Sequence, residues 1–345
     1  MRLTLSSIER FSHMTKLNKT LNSCAAVALA MFSHLSFAVN LNYDSLSSLE
    51  EPLAAHVADT TLVFSGLVDI PAFIDLQDDA DTDTNLRSNF QITAETQLAN
   101  SWTLGAGYFG SYDNDADDSF NDNAALFIGG AWGIVSIGNV TGLVREGTRR
   151  NRGAGNAALS YDDFLGRLYD DGVGYLGRFG PSRISANIDD NSNAEIGWMF
   201  QRPVGNKDYR FAVRLQSSEA TFDNNTAVDS KGASGVAELT YGSSVFDIGI
   251  GHETLKSQNF ELDRWFISSG VAYKIGRWTL SAQAHVGEIE SQDERSYAIG
   301  MICDIARGLS LNLGVNSRES NIQHSGVTIR SDDSTEGVVS VRYSF

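Results

Sequence analysis

The chain is short of cysteine, proline, positive charge and long apolar runs, and each shortage excludes something. One of its two cysteines, Cys24, falls in an N-terminal segment that reads as removable, which leaves Cys303 alone and rules out an internal disulfide afterwards. Only 4 prolines beside 32 glycines in 345 residues place the sequence outside both disordered and collagen-like compositions. Lys and Arg total 26 against 43 Asp and Glu, a formal net charge of −17 with no basic stripe, which argues against a nucleic-acid partner. Beyond the N-terminal segment no stretch of about 18 apolar residues occurs, so no transmembrane helix is available. Any contact with a membrane must be made by strands.

The N-terminal segment has the order of an export signal. Lys16 and Lys19 precede the apolar run AAVALAMFSHLSFA, and Ser36-Phe37-Ala38 is a small-x-small cleavage site, so residues 1–38 read as a signal peptide. A start at Met1 or at Met14 fits equally. Cys24 precedes the apolar run, the reverse of a lipoprotein site. Residues 39–60 fit no strand pattern and read as an N-terminal extension, either a tail or a short helix from Ser48.

What the rest of the chain has is alternation. In LSLNLGVN, Leu309, Leu311, Leu313 and Val315 share one face and Ser310, Asn312, Gly314 and Asn316 the other; WTLSAQAHV and RFAVRLQ repeat the scheme. No amphipathic helix is comparably clear. Sixteen strands are predicted, at 61–74, 86–98, 102–112, 120–131, 133–139, 172–179, 181–188, 194–202, 207–217, 232–242, 244–254, 262–274, 277–287, 295–305, 308–318 and 335–345. Short turns such as Gly242-Ser243 and Ile275-Gly276 alternate with long polar connections such as SSEATFDNNTAVDSKG and SRESNIQHSGVTIRSDDST. A soluble sandwich has no reason for that asymmetry, whereas a membrane barrel has short turns at one end and long loops at the other. No helices or second domain remain to cover sixteen apolar faces, so lipid is the missing partner and the sheet must close on itself. The expected fold is all-β, a transmembrane antiparallel β-barrel of about 16 strands over residues 61–345. Trp102, Trp132 and Trp278 beside short turns mark one membrane interface. A barrel of this size leaves an aqueous channel.

Between the fifth and sixth strands lies VTGLVREGTRRNRGAGNAALSYDDFLGRLYDD, residues 140–171. A connection this long and partly apolar is expected to fold inward, with Leu143, Val144, Leu159, Tyr161, Phe164, Leu165, Leu168 and Tyr169 as anchors. It holds Arg145, Glu146, Arg149, Arg150, Arg152, Arg167, Asp162, Asp163, Asp170 and Asp171. Alternation turns Arg87, Arg178, Arg210, Arg214, Arg264 and Arg342 to the lumen. A transverse field is expected between Asp162/Asp163 and some of these arginines.

These residues resemble the general bacterial porins of the trimeric, sixteen-stranded type. AALFIGGAWGIVSIGNVTG (124–142) is similar to the strands entering the porin constriction loop, GVGYLGRFGPSRISANIDDN (172–191) to the two strands after it, and VVSVRYSF to the terminal strand with its aromatic sorting residue, Phe345. The resemblance implies a homotrimer of water-filled pores in the outer membrane of a Gram-negative bacterium, set among lipid and lipopolysaccharide and passing small hydrophilic solutes. It also implies that 140–171 is the constriction loop and that 39–60 is periplasmic. The loop departs from the acidic family pattern by carrying both signs, which leaves cation or anion preference open.

Three other functions compete with a diffusion pore. A hydrolase would need a His beside a Ser or paired carboxylates, and His56, His252, His285 and His324 sit in no catalytic motif, so no enzyme is expected. A sugar-selective channel would show an aromatic slide, and inward aromatics look sparse, with Phe266 the main one. An adhesin would use the long loops. No cofactor is expected. The clusters Asp78, Asp79, Asp81, Asp83 and Asp113, Asp115, Asp117, Asp118, Asp122 could hold Ca2+, but the second lacks the glycine and closing glutamate of an EF-hand, and solvation is the simpler account. Cys303, between Met301 and Ile305, reads as a lipid-facing hydrophobe.

Overall fold

The computed structural model describes residues 53–77, 82–116, 119–150, 153–168, 171–221, 227–257, 260–324 and 327–345. The readings placed on 1–38 and 39–52, on Arg152, Tyr169 and Asp170, and on Asp78, Asp79, Asp81, Asp117 and Asp118 lie outside these residues.

The elements in chain order are β1 (Leu53–Val57), β2 (Thr60–Asp75), β3 (Thr82–Thr84), β4 (Arg87–Gln97), β5 (Thr103–Asp113), β6 (Phe120–Gly130), β7 (Gly133–Asn139), the one-turn helix α1 (Arg145–Thr148), β8 (Asp171–Phe179) and β9 (Ser182–Asp189). They continue with β10 (Ala194–Val204), β11 (Lys207–Thr221), β12 (Ala227–Tyr241), β13 (Ser244–Lys256), β14 (Glu261–Ile275), β15 (Trp278–Ile289), β16 (Gln292–Ala306), β17 (Leu309–His324) and β18 (Val327–Ser344). Each strand from β4 to β18 pairs antiparallel with the next, β2 pairs with β4, and β18 returns to β2 from Glu336↔Asp75 to Ser344↔Leu67. β2 and β4–β18 therefore make a closed barrel of sixteen strands, with β1 and β3 as short additions to β2. Closure pairs the first barrel strand with the last, as hydrocarbon demands.

Burial is inverted relative to a water-soluble protein. Ile299, Leu126 and Ile137 are about three-fifths exposed, whereas Ser296, Ser268 and Asn312 are almost fully buried. Apolar surface left in water forgoes about 25 cal/mol per Å², so an outer face this apolar needs lipid against it. Trp102 and Trp132 meet edge to face at 6.0 Å beside the short turns, where indole rings bridge hydrocarbon and headgroups.

The short turns use left-handed backbone. Gly242 (φ 58) and Gly276 (φ 60) open two-residue turns; an added Cβ at either would touch nothing within 4 Å, so conformation rather than space requires glycine.

Two expectations need correction. The segments 217–232 and 317–335, expected as long polar loops, are mostly strand: the ladders run on from Ser217↔Lys231 to Thr221↔Ala227 and from Ser317↔Thr335 to His324↔Val327. What sustains them is an apolar cluster inside the loop end of the barrel, Ala220, Val228, Leu255, Leu262, Ile289 and Ile322, with Leu165 packed on it. Their polar composition hid an alternation that persists. The second correction is β1, which lies in the stretch that fits no strand pattern. Gly66 and Phe345 exchange backbone hydrogen bonds at 2.8 and 2.9 Å, and Leu53 pairs with Phe64 directly below. The chain terminus and β1 thus lie in line along the same side of β2, and Phe345 packs on Phe64 with ring centroids 5.1 Å apart.

Candidate functional site

The segment between β7 and β8 folds onto the inner wall and can be followed strand by strand. It leaves β7 where Asn187 of β9 donates to the Val140 carbonyl at 3.2 Å. It then forms α1, where Thr148 and the preceding Val144 are buried, and Arg210 of β11 donates to the carbonyls of Gly147 and Arg149 at 3.0 and 2.8 Å. Arg150 pairs with Asp247 of β13 and donates to Gln283 of β15 at 3.3 Å. Ala154 N–H donates to Ser281 of β15 at 2.6 Å, and Asn156 reaches Ser340 of β18 at 3.0 Å. The chain then returns. Ser160 N–H donates to Ser296 of β16 at 3.0 Å, and Leu165 and Gly166 N–H donate to Glu253 of β13 at 3.0 and 3.1 Å. Arg167 N–H donates to Glu219 O of β11 at 3.1 Å. The loop thus lines the wall from β9 to β18 and back, and its described residues leave the β2–β6 wall bare.

Glycines make the close passages possible. A Cβ on Gly300 would lie 2.6 Å from Ala157, and one on Gly314 2.5 Å from the backbone of Asn156. Of the eight expected apolar anchors, Val144, Phe164 and Leu168 are buried, Leu143, Leu159, Tyr161 and Leu165 are half-buried, and Phe164 meets Phe266 edge to face at 6.3 Å.

The charges behave differently from the expectation. Asp163 is in direct ion pairs with Arg145 and with Arg214 of β11, and Asp162 pairs with Arg150 at 3.2 Å. These acids hold the loop to itself and to the wall, so the transverse field expected between separated acid and base is largely closed into contacts. Burial would push the Asp163 carboxyl up, but the guanidiniums of Arg214 and Arg145 overrule it and hold it below its ordinary value. Burial would likewise lower Arg145, and Asp163 raises it. The Tyr161 hydroxyl is pushed up by burial and by its hydrogen bond to Asp332.

The other predicted residues are spread out. Arg264 faces inward as alternation requires but lies wholly buried beneath the loop, between Glu253 and Glu294 and donating to the Tyr161 and Asp163 carbonyls. Arg342 pairs with Asp69 at 2.8 Å and also reaches Asn156. Arg87 pairs with Asp113 at 3.0 Å, away from the loop. Glu146 pairs with Arg149 within α1 and its C-cap, and Asp171 opens β8 on its exposed rim. Asp113 also accepts from Asn85 at 2.6 Å, and no group of three or more His, Cys, Asp or Glu able to hold a metal occurs among the described residues.

Other lumen residues stand outside the expected set. Arg183 of β9 stands directly opposite Arg178 of β8, with its guanidinium 3.2 Å from where a Cβ on Gly147 would lie; the alternation Arg183, Ser185, Asn187 could have found it. Phe109 and Phe127 face inward from β5 and β6, whereas Phe266, expected as the main inward aromatic, is covered by the loop.

A closed barrel with an apolar exterior, a polar interior and a long loop folded within it is the architecture of an outer-membrane channel. The model of the Gram-negative porin family matches residues 25–345, and the chain belongs to that family. Solved structures share the fold. The anion-selective porin from Comamonas acidovorans is 16% identical with a TM-score of 0.63, over 83% of this chain and 100% of that one. OmpT, an outer membrane protein of Vibrio cholerae, is 14% identical with a TM-score of 0.63, over 85% and 99%. A mutant of the Rh. blastica porin is 16% identical with a TM-score of 0.53, over 82% and 100%. No curated protein sequence matches the chain. The protein is an outer-membrane porin, a water-filled channel for passive diffusion of small hydrophilic solutes and ions.

Proposed function

We propose that the loop 140–171 sets the narrowest section of this channel, that the protein works as a homotrimer among lipid and lipopolysaccharide, and that it performs no catalysis. The observation that carries the first reading is the loop's path along the inner wall from β9 to β18, whose described residues leave open the side bounded by β2–β6. Arg145, Glu146, Arg149, Arg150, Asp162 and Asp163 then hold or border the aperture with Arg210 and Arg214, while Arg264 and Arg342 act as anchors behind it. A cavity of about 520 Å³ along the loop is lined by Arg145, Arg149, Arg150, Asp162 and Arg330.

The absence of catalysis is supported by the state of a serine, histidine and glutamate that stand in line. Ser268, His285 and Glu294 are joined at 2.8 and 3.2 Å, yet all three are buried, and Glu294 is neutralised by Arg264 and Arg330, both at 2.7 Å. No substrate reaches that serine under the loop.

A modest anion preference is a second proposal. Arg178 and Arg183 face each other across β8 and β9 with no ion pair to either among the described residues, and one solved neighbour is described as anion-selective.

The test of the constriction is Ala158→Cys, on the exposed side of the loop, in a Cys303→Ala background. Attaching a bulky thiol reagent should cut single-channel conductance in a planar bilayer. Unchanged conductance after complete labelling would remove the loop from the aperture, and insertion in steps other than three would count against the trimer.

A further inference from the structure

The bare wall opposite the loop has a chemistry of its own. On β4, β5 and β6 the inward residues form rows set by the register: Asn89–Ser111–Asn121, then Gln91–Phe109–Asn123, then Thr93–Gly107–Ala125, then Glu95–Gly105–Phe127. Neighbours across a row are about 4.8 Å apart and successive rows about 7 Å, so Phe109 sits amid amides on both sides and above.

Both aromatic rings lie down on the wall. A Cβ on Gly107 would come within 3.1 Å of two Phe109 ring carbons, and one on Gly105 would collide with the Phe127 ring. Each ring covers a glycine and offers its other face to the lumen. The amides beside Phe109 are unoccupied: Asn89, Gln91 and Asn123 make no side-chain hydrogen bond among the described residues, and Asn89 and Asn123 are exposed. A cavity of about 380 Å³ opens over Phe109, Asn89, Gln91, Ser111 and Asn123, and no described residue of 140–171 lines it.

We infer that this wall is a binding surface for neutral sugars, with Phe109 as the stacking platform, Asn89, Gln91 and Asn123 as partners for ring hydroxyls, and Phe127 as the next platform toward the short-turn end. A sugar ring has an apolar face of C–H groups for the aromatic ring and a rim of hydroxyls, each both donor and acceptor, which an amide can satisfy with its carbonyl and its N–H2. A purely apolar solute would desolvate three amides without return. An anion finds no cation in these rows: the nearest, Arg87, is paired with Asp113 one row above. The inference rests on the open-channel reading and names a substrate class for it.

The experiment has two readouts on the full-length mature protein. In planar bilayers, maltotriose should interrupt the wild-type current with a frequency that saturates with concentration, and Phe109→Ala should conduct salt normally but lose the interruptions. By titration calorimetry in a detergent without sugar headgroups, Phe109→Ala should bind maltotriose about tenfold more weakly, and Gly105→Ala, which must lift the Phe127 ring, should weaken binding less. Normal salt conductance with no saturable maltotriose effect and no heat of binding would overturn the sugar site and leave the channel standing. Binding of uridine but not maltotriose would also overturn it, since a planar base needs the ring but not the hydroxyl partners. A silent bilayer would sink the open channel instead, and calorimetry would still decide the site.

Discussion

Arg264 and Glu294 are joined Nη2 to Oε1 at 2.7 Å with both side chains fully buried, in a wall whose polar face is otherwise meant for water. The pair is buried because the loop lies on it, and the loop lies there because Arg264 also donates to the carbonyls of Tyr161 and Asp163. Glu253 completes the arrangement by accepting from Leu165, Gly166 and Ser230. One guanidinium therefore ties two strand carboxylates to the loop backbone.

Arg264→Ala should strand Glu253 and strip two loop carbonyls of their donor. Breaking one partner of a buried pair costs about 3–5 kcal/mol, and the sixteen-strand ladder does not share that loss. The barrel should stay folded while the loop comes loose, seen as noisier, larger conductance and new protease cuts within 153–168. Adding Glu253→Gln should restore part of the attachment, because it removes the uncompensated charge. A quiet wild-type channel in Arg264→Ala would refute the anchor.

Asp163 gives this attachment a pH limit. Its folded pKa lies below its ordinary value of 3.8, so its contribution is fully present above the ordinary carboxylate range and is lost as pH falls through the depressed value. The loop should hold through mild acid and release only in strong acid. Asp163→Asn should remove that transition and leave a looser loop at neutral pH. Conductance noise recorded against pH would read both.

Much of this was legible in the sequence, and the illegible part has one cause. Alternation is local, so it placed Arg214 and Arg264 on the inward face correctly and located sixteen strand cores within a few residues. It says nothing about height along the barrel or about what a segment 101 residues away will cover, so Arg264 looked like an open-lumen residue. The same blindness turned 217–232 and 317–335 into loops. Ala220, Val228 and Ile322 keep the period, but charged and amide neighbours obscure it, and the apolar cluster they join exists only once the barrel closes.

That cluster supplies a stability test. Leu255 and Leu262 are fully buried, and removing either side chain leaves a cavity worth about 2–5 kcal/mol. Leu255→Ala should fray the loop-end extensions of β11–β14 first. Hydrogen exchange should quicken at residues 217–221 and 227–231 while the mid-barrel ladder stays protected. Uniform acceleration along these strands would mean that the cluster supports the whole barrel instead.

The interfacial tryptophans should report their own depth. With Trp198 and Trp265 replaced by Phe, fluorescence from Trp102, Trp132 and Trp278 should be quenched more by bromine near the glycerol end of the acyl chain than by bromine at its tip. Deep quenching would move the short-turn rim into hydrocarbon and shift the whole barrel along the membrane normal.

Ion preference turns on which cations remain uncompensated. Arg214, Arg150 and Arg264 are tied to carboxylates, and Arg210 has Glu238 at 3.2 Å; a passing anion gains little from a guanidinium already neutralised. Arg178 and Arg183, opposed in register, repel one another and keep their field for the lumen. The reversal potential in a salt gradient should therefore move toward cation preference in Arg183→Gln and further in Arg178→Gln/Arg183→Gln, with a shift that shrinks at high salt as screening shortens the reach of the charges. Lys256→Gln, which removes an equal charge already paired with Glu261 in an exposed contact away from the loop, should barely move it. An equal shift from Lys256→Gln would mean that total charge, not position, sets selectivity.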